Sequence, residues 1–413
     1  MQATLLTNIR QLINVREQNK LLRGRDLSQL PYMENAFLLI ENGIIMQYGP
    51  MIQIGNLQSQ ISNTIDVSGQ MVLPAWCDSH THLVFAASRE EEFVDKINGL
   101  SYADIAAKGG GILNSARKLN DMSEDMLFNL AWKRLEEISR MGTGAVEIKS
   151  GYGLSVEGEL KMLRVIKKLK EKSNLVIKST FLGAHTYPQA YKENHQVYID
   201  LIINEMLPVI TKEKLADYID VFCETGFFSA EETETICRAG MKYGLKPKIH
   251  ANQLNLSGGV ETGVKLNAVS VDHLESMNDE TIMELANSGT IGTLLPTAAF
   301  FLRMAYPPAR KLIENNAAIA IATDYNPGSS PSGNMNLVVA MSCIGMKMLL
   351  GEAINAATIN GAFAMEVQDK VGSITVGKKA NLVITKQIPS LAYLPYSFGT
   401  NHIDKVIING EML

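Results

Sequence analysis

The sequence predicts an α/β fold, a TIM (β/α)8 barrel with a small β-sandwich domain built from both termini. The 413 residues exceed one ordinary domain of about 150 residues, and short apolar runs alternate with helical stretches eight times between about Pro74 and Asp324. β-hairpin signals lie outside that region. We therefore expect residues 74–370 to form the barrel and residues 1–73 and 371–413 to form the small β domain.

Asn-Gly pairs, the strongest short hairpin signal, stand near both ends of the chain. Asn42-Gly43 separates the apolar runs 37–40 and 44–46, and Asn409-Gly410 follows Val406–Ile408. Further strand-like runs occupy 64–67, 373–376 and 381–385. A few strands from either end alone would be marginally stable. The two ends are therefore predicted to share one domain.

The central region predicts eight barrel strands, at 75–82, 144–149, 175–184, 219–224, 246–251, 268–273, 290–295 and 317–324. Runs such as Ala317–Ala322 are nearly all apolar, which is typical of strands buried on both faces. Amphipathic helices are expected between the strands, for example at 124–140, 157–171 and 230–243. Eight alternations favour a barrel. A doubly wound sheet is the alternative, but no glycine-rich phosphate loop follows the first strand.

Composition excludes several classes of partner. Thirty-eight basic and 43 acidic side chains give a formal charge of −5, which is too small to indicate a nucleic acid or an anionic membrane. The four cysteines, Cys77, Cys223, Cys237 and Cys343, show no CxxC spacing, so a reducing cytoplasm is predicted. Neither a secretory signal nor a membrane span is expected.

Polar and titratable side chains close the predicted strands: His80, His82, Lys149, Tyr152, His185, Glu224, His250, His273 and Asp324. The C-terminal rim of a barrel carries its active site. His80 and His82, at i and i+2 on a strand, project to the same side. With His250 and Asp324 ending the fifth and eighth strands, they predict a catalytic metal site with an exchangeable position.

The segment Leu73–His82 resembles the opening metal motif of the amidohydrolase superfamily. Further segments resemble the imidazolonepropionase family within it: Ser88–Phe93, Lys108–Ile112, Glu147–Gly153, Leu182–His185 and Ala322–Ser330. The resemblance runs from the N-terminal hairpin to the C-terminal strands. It implies hydrolysis of 4-imidazolone-5-propanoate to N-formimidoyl-L-glutamate, with a metal-generated hydroxide attacking the ring amide carbonyl. It also implies one divalent ion, zinc or iron, per subunit and a homodimer.

The resemblance also assigns roles to residues. The metal ligands would be His80, His82, His250 and Asp324. The catalytic groups would be His273, Asp324 and Gln253, and the substrate contacts would be Arg89, Tyr152, His185, Gln253, Asn326, Gly328 and Ser329. Arg89 would pair with the propionate, since a guanidinium forms a planar fork suited to carboxylates. The glycines at 109–111 are expected to belong to a lid. Each role has a structural alternative, such as a packed histidine or a salt-bridged surface arginine.

One position departs from the family pattern. Many members have His-x-x-Glu after the fifth strand, whereas this chain has His250 and then Gln253. Glutamine can orient a ring nitrogen or a water but cannot accept a proton at neutral pH. Gln253 leaves open a non-catalytic paralogue, and the shared HxH, His, His and Asp set leaves open a deaminase or hydrolase of another small heterocycle. The complete ligand set argues against the first, and the propionate clamp at Arg89 argues against the second.

Overall fold

The computed structural model describes residues 3–57, 61, 63–100, 108 and 110–413. Its strands form two sheets, one of parallel strands in the middle of the chain and one of mixed direction made from both ends. The predicted fold class, a barrel with a separate β unit built from both termini, is confirmed. Gly109, which belongs to the expected lid, lies outside the described residues. Within the described ranges, no helix has the length and apolarity needed to cross a membrane.

The eight barrel strands follow one another in sequence order, each parallel to the next. They are β6 (Trp76–Thr81), β7 (Thr143–Lys149), β8 (Val176–Ala184), β9 (Tyr218–Cys223), β10 (Lys246–Ala251), β11 (Ser270–His273), β12 (Ile291–Leu294) and β13 (Ile319–Ile321). All eight predicted strands are present. Their residues are almost entirely buried, because helices cover the outer face and side chains fill the interior.

The barrel closes between its first and last strands. The backbone N–H of Asp324 donates to the oxygen of His80 at 3.0 Å, and that of His82 donates to the oxygen of Tyr325 at 2.9 Å. Beneath this contact, Asp78 accepts both the backbone N–H and the hydroxyl of Thr323. The strand predicted at 317–324 is shorter, Ile319–Ile321, and Asp324 cannot belong to it because its backbone is left-handed, with φ of 53°.

Helices lie between the barrel strands and after them. Those described are α1 (Glu90–Ile97), α2 (Ile112–Asp121), α3 (Glu124–Arg140), α4 (Val156–Lys172), α5 (His195–Leu201), α6 (Leu207–Glu213), α7 (Ala230–Lys242), α8 (Gly259–Lys265), α9 (Asp279–Ala286), α10 (Pro296–Leu302), α11 (Ala309–Glu314), α12 (Met335–Ile344), α13 (Leu350–Ala357), α14 (Ile359–Ala364) and α15 (Tyr393–Tyr396). The three helices that the sequence analysis named, at 124–140, 157–171 and 230–243, are present as α3, α4 and α7. Ser123, Ser155 and Ser229 cap their first turns.

The second sheet joins the ends of the chain. Its strands are β1 (Ala3–Ile13), β2 (Tyr32–Glu41), β3 (Ile44–Pro50), β4 (Asn63–Asp66), β5 (Met71–Pro74), β14 (Leu382–Thr385), β15 (Ile403–Ile408) and β16 (Glu411–Met412). β5 pairs with β1 on one side and with β14 on the other. Leu6, Leu38, Val72, Leu382 and Ile407 therefore share one apolar core.

The strand predicted at 373–376 is wrong. Ile374 forms a single bridge to Val15, with its N–H on the oxygen of Asn14 and its oxygen accepting from Arg16. The chain then turns at Gly377, which has a φ of 91°, so pairing cannot continue. The sequence also gave no indication of β1, where a bulge between Leu6 and Ile9 interrupts the two-residue alternation.

The two predicted hairpin turns are confirmed and pack against each other. Asn42, Gly43, Asn409 and Gly410 all have positive φ, from 50° to 81°, as a two-residue hairpin loop requires. A Cβ on Gly43 would lie 2.5 Å from the backbone oxygen of Asn409, and one on Gly410 would lie 2.6 Å from the Cα of Gly43. The turns from opposite ends of the chain therefore leave no room for a side chain.

We expect Gly43→Ala to lower the free energy of unfolding by about 2–5 kcal/mol, since strain at positive φ costs about 1–2 kcal/mol and overpacking costs about 1–3 kcal/mol. Gly377→Ala is the control, because its φ is also positive but nothing lies within 4 Å of its Cβ position. Denaturant unfolding of both variants measures the difference. Equal losses would contradict the packing of the two turns.

Candidate functional site

Four histidines and one aspartate meet at the C-terminal rim of the barrel. β6 carries His80 and is followed by His82, β10 carries His250, β11 ends at His273, and Asp324 follows β13. All five side chains are buried. Because the carboxyl ends of parallel strands lie at one rim, residues that are distant in sequence come together here.

Ring nitrogens and a carboxylate oxygen converge within this cluster. The Nε2 atoms of His80 and His82 each lie 3.5 Å from Oδ1 of Asp324, and Nε2 of His250 lies 3.3 Å from Nε2 of His82. Ligand atoms of His80, His82 and His250 fall within 4.8 Å of one another, and so do those of His80, His273 and Asp324. This is the spacing of groups that share one cation.

Two buried aspartates hold the far side of the imidazoles. Nδ1 of His80 donates to Oδ2 of Asp272 at 2.7 Å. Asp220 accepts the backbone N–H of His250 at 3.1 Å, and its Oδ2 lies 3.0 Å from Nδ1 of that ring without hydrogen-bond geometry. A carboxylate only accepts hydrogen bonds, so Asp272 fixes the proton of His80 on Nδ1 and leaves a lone pair on its Nε2. Carboxylate-oriented histidines are typical of metal sites, and the sequence interpretation missed both aspartates.

The donor set fits a divalent cation. Burial lowers the pKa of His80, His82 and His250 well below 6.5, so the imidazoles are neutral, as metal ligands must be. Within the described residues, Nε2 of His80 is buried and has no hydrogen-bond partner. The Nε2 atoms of His82 and His250 face each other, and a proton or a cation between them would relieve their repulsion. Three nitrogens and one oxygen suit zinc or iron.

Asp324 and His273 have unusual backbones and surroundings. Their φ angles are 53° and 88°, values that non-glycine residues rarely adopt and that cluster at functional sites. Burial raises the pKa of Asp324 to about 7. Burial opposes protonation of His273, but the carboxylate of Glu275, 3.5 Å from Nδ1, raises its pKa above the ordinary value. Glu275 is a further residue that the sequence interpretation missed.

Five of the predicted substrate contacts line one cavity with the histidines: Tyr152, His185, Gln253, Asn326 and Ser329. His185 stacks on His82 with ring centroids 5.2 Å apart, and its Nδ1 contacts the oxygen of Gly151 at 3.0 Å. Burial lowers its pKa to about 4, so the ring is neutral. Phe222, which had no sequence signal as a site residue, lies in the same wall.

Buried carboxylates hold the loops of this cavity. Glu159 accepts the backbone N–H groups of Gly151, Gly153 and Leu154 at 2.7–3.0 Å, which fixes the loop of Tyr152. Glu224 accepts the N–H of Leu254 at 2.8 Å and so anchors the segment after Gln253. The strand-end residue Glu224 is therefore a support for a loop.

Arg89 does not line the histidine cavity. Its guanidinium pairs with Glu92, whose other carboxylate oxygen accepts the N–H of Gly111 at 3.0 Å. Arg89 also lies against Gly328, where a side chain would collide with the guanidinium. The structure therefore places Arg89 against the loop of residues 326–329 and in an ion pair with Glu92, which matches the salt-bridged alternative named for this residue.

Asn326 organises that loop. Its Oδ1 accepts the N–H groups of Gly328 and Ser329, each at 2.8 Å, and its Nδ2 donates to the oxygen of Asp324 and to Oγ of Ser329. The backbone N–H groups of Gly328 and Ser329, two of the predicted substrate contacts, are thus already paired. A carboxylate bound there would compete with Asn326.

Comparison with known proteins identifies the family. A protein-family model with the description "Amidohydrolase family" matches residues 71–413 of the sequence. The chain belongs to the amidohydrolase family. Two relatives named imidazolonepropionase, from Flavobacterium johnsoniae and Christiangramia forsetii, are each 56% identical to this amidohydrolase. The alignments cover 99% of the chain and 100% and 99% of the relatives.

A solved structure confirms the fold of this amidohydrolase. A zinc-bound adenosine deaminase from Xanthomonas campestris superposes with a TM-score of 0.71 at 16% identity, over 99% of this chain and 92% of the deaminase. At that identity the likeness concerns the fold alone. The family assignment rests on the sequence relatives and the family model.

Proposed function

We propose that this amidohydrolase hydrolyses 4-imidazolone-5-propanoate to N-formimidoyl-L-glutamate in histidine degradation. The observation that carries the proposal is the convergence of three neutral imidazole nitrogens and the Asp324 carboxylate in a cavity lined by polar side chains. Relatives of nearly the same length and with 56% identity carry the name of this activity. The reaction opens the ring at its amide C–N bond and adds one water.

The proposed metal ligands are His80, His82, His250 and Asp324, and one divalent ion, zinc or iron, would satisfy them. Such an ion activates water and polarises a carbonyl. His273 is not needed as a ligand in this arrangement. Its Nδ1 faces Glu275, so its Nε2 is the ring atom available to the reacting groups.

Asp324 and His273 are proposed to move protons and to stabilise charge. Asp324 would take the proton from the attacking water and pass it to the departing ring nitrogen. His273 would donate a hydrogen bond to the developing oxyanion, a role that the adjacent Glu275 supports by raising the pKa of the ring. Gln253, whose amide cannot accept a proton at neutral pH, would orient the water or the ring.

The remaining residues are proposed to hold the substrate. Tyr152 and His185 flank His82 and would contact the imidazolone ring. Asn326, Gly328 and Ser329 form the loop beside it, and Arg89, behind Gly328, would receive the propionate. To do so the guanidinium must share its charge between the substrate and Glu92.

We further propose a cytoplasmic homodimer. All four cysteines are unpaired, which suits a reducing compartment. The homodimer rests on the family resemblance.

Turnover is tested with freshly generated imidazolone propionate and followed by the loss of its ultraviolet absorbance. We expect decay with zinc- or iron(II)-loaded protein, loss of activity after chelation, and recovery when the ion is restored. His82→Ala removes a proposed ligand and should abolish turnover. His195→Ala is the control, since that half-exposed ring pairs with Glu232 outside the site. A loaded protein that leaves the absorbance unchanged refutes the proposed function.

Arg89→Ala is expected to raise KM about 10- to 100-fold with a smaller effect on kcat, because a charge-assisted hydrogen bond contributes about 1.5–3 kcal/mol. Arg117→Ala on the exposed face of α2 is the control. Steady-state kinetics of both variants give the comparison. An unchanged KM in Arg89→Ala would remove Arg89 from the substrate site.

Gln253→Glu is expected to keep substantial activity, because Asp324 and His273 supply proton transfer without a carboxylate at position 253. The measurement is kcat for the variant and the parent at equal metal content. Abolished turnover would show that the site depends on the amide.

A further inference from the structure

Five charged side chains lie beneath the histidine cluster, in the interior of the barrel. Glu147, Lys149, Asp220, Lys248 and Asp272 are each at most 1% exposed. Burying charges costs several kcal/mol for each ion unless they are paired in good geometry. An apolar barrel core would avoid that cost, so the cluster calls for an explanation.

Lys149 occupies the centre of this cluster. Its Nζ lies 2.7 Å from Oε1 of Glu147, 2.8 Å from Oδ2 of Asp220 and 3.4 Å from Oδ2 of Asp272. The same Oδ2 atom of Asp272 accepts from His80, and the same Oδ2 atom of Asp220 contacts His250. One ammonium group therefore touches both carboxylates that face metal-site histidines.

Lys248 makes different contacts. Its Nζ pairs with the other oxygen of Glu147 and contacts the backbone oxygens of Ser79 and Ala364 at 3.3 and 3.2 Å. Among the described residues, Glu147 is its only carboxylate partner. The two lysines are equally buried, share Glu147, and differ in whether they reach the aspartates.

Charge balance explains why that difference matters. Burial alone lowers the pKa of Lys149, but Asp220, Glu147 and Asp272 together raise it above its ordinary value, so the side chain stays an ammonium. Without that cation, the buried like charges of Asp220 and Asp272 would repel each other and lose the contact that fixes their positions. The contact of Asp272 with Nδ1 of His80 and that of Asp220 with the backbone N–H of His250 would then loosen, and the Nε2 atoms of both rings would lose their alignment.

We infer that Lys149 is a positioning residue of the metal site, because its ammonium holds the two carboxylates that orient His80 and His250. This inference rests on the metal ligands proposed above. Lys149 sets metal affinity through Asp220 and Asp272, without contact to the ion or to the substrate. The competing explanation is that all five charges serve only to fill the barrel.

The test compares Lys149→Met with Lys248→Met, two changes that remove one equally buried ammonium from the same cluster. The zinc dissociation constant is measured by competition with a chromogenic chelator, and the visible absorption bands of the cobalt(II)-loaded proteins report ligand geometry. For Lys149→Met we expect about 10- to 100-fold weaker zinc binding, as is typical when the outer partners of metal ligands are changed, and altered cobalt bands. Lys248→Met should stay within about threefold of the parent, whatever its effect on unfolding.

Unchanged zinc affinity in Lys149→Met, or equal losses in both variants, would overturn the inference. Because no substrate is used, the result is independent of the proposed activity. A parent protein that fails to bind zinc, cobalt or iron would instead refute the metal site and this inference together.

A second pair covers the case in which Lys149→Met does not fold. Asp220→Asn keeps the shape of the side chain but removes the charge between Lys149 and His250, and about tenfold weaker zinc binding is expected. Asp217→Asn is its control, since Asp217 pairs with Lys170 and Lys178 at the barrel's periphery. Parent-like zinc affinity in Asp220→Asn would equally overturn the inference.

Discussion

The site depends on the contact between buried carboxylates and the Nδ1 atoms of its histidines. Asp272 accepts from Nδ1 of His80, and Asp220 lies against Nδ1 of His250. The opposite nitrogen of His80 faces Asp324, and that of His250 faces His82. An imidazole has two nitrogens and rotates easily, and without an acceptor behind it neither the tautomer nor the ring plane would be fixed. The polar interior of the barrel therefore determines what its rim can bind.

Carboxylates act in the same way on the loops above the rim. Glu159 holds the loop of Tyr152, Glu224 holds the segment after Gln253, and Glu92 joins Arg89 to Gly111. In each case a buried acceptor pairs backbone N–H groups or a guanidinium that would otherwise lack partners. The loops are thus fixed by residues that do not face the substrate cavity.

The sequence predicts the strand pattern and the reactive strand ends well, because both follow from local order. Eight apolar runs with His80, His250, His273 and Asp324 at their ends are readable one segment at a time. Contacts between residues that are distant in sequence cannot be predicted from one segment at a time. Asp220, Asp272 and Lys248 stand inside strands whose neighbours are apolar, so only the closed barrel shows that they meet. The pairing of Arg89 with Glu92 has a visible spacing, but a run of four charged residues offers several equivalent partners.

The terminal sheet has a consequence for how the protein is made. The guanidinium of Arg10 donates to the oxygen of Ile388, 378 positions later, and β5 finds its second neighbour only in β14. During synthesis on the ribosome, one edge of β5 therefore stays unpaired until the barrel has been made and β14 follows. Such an edge invites pairing with other chains, so the nascent protein is exposed to aggregation until β14 emerges.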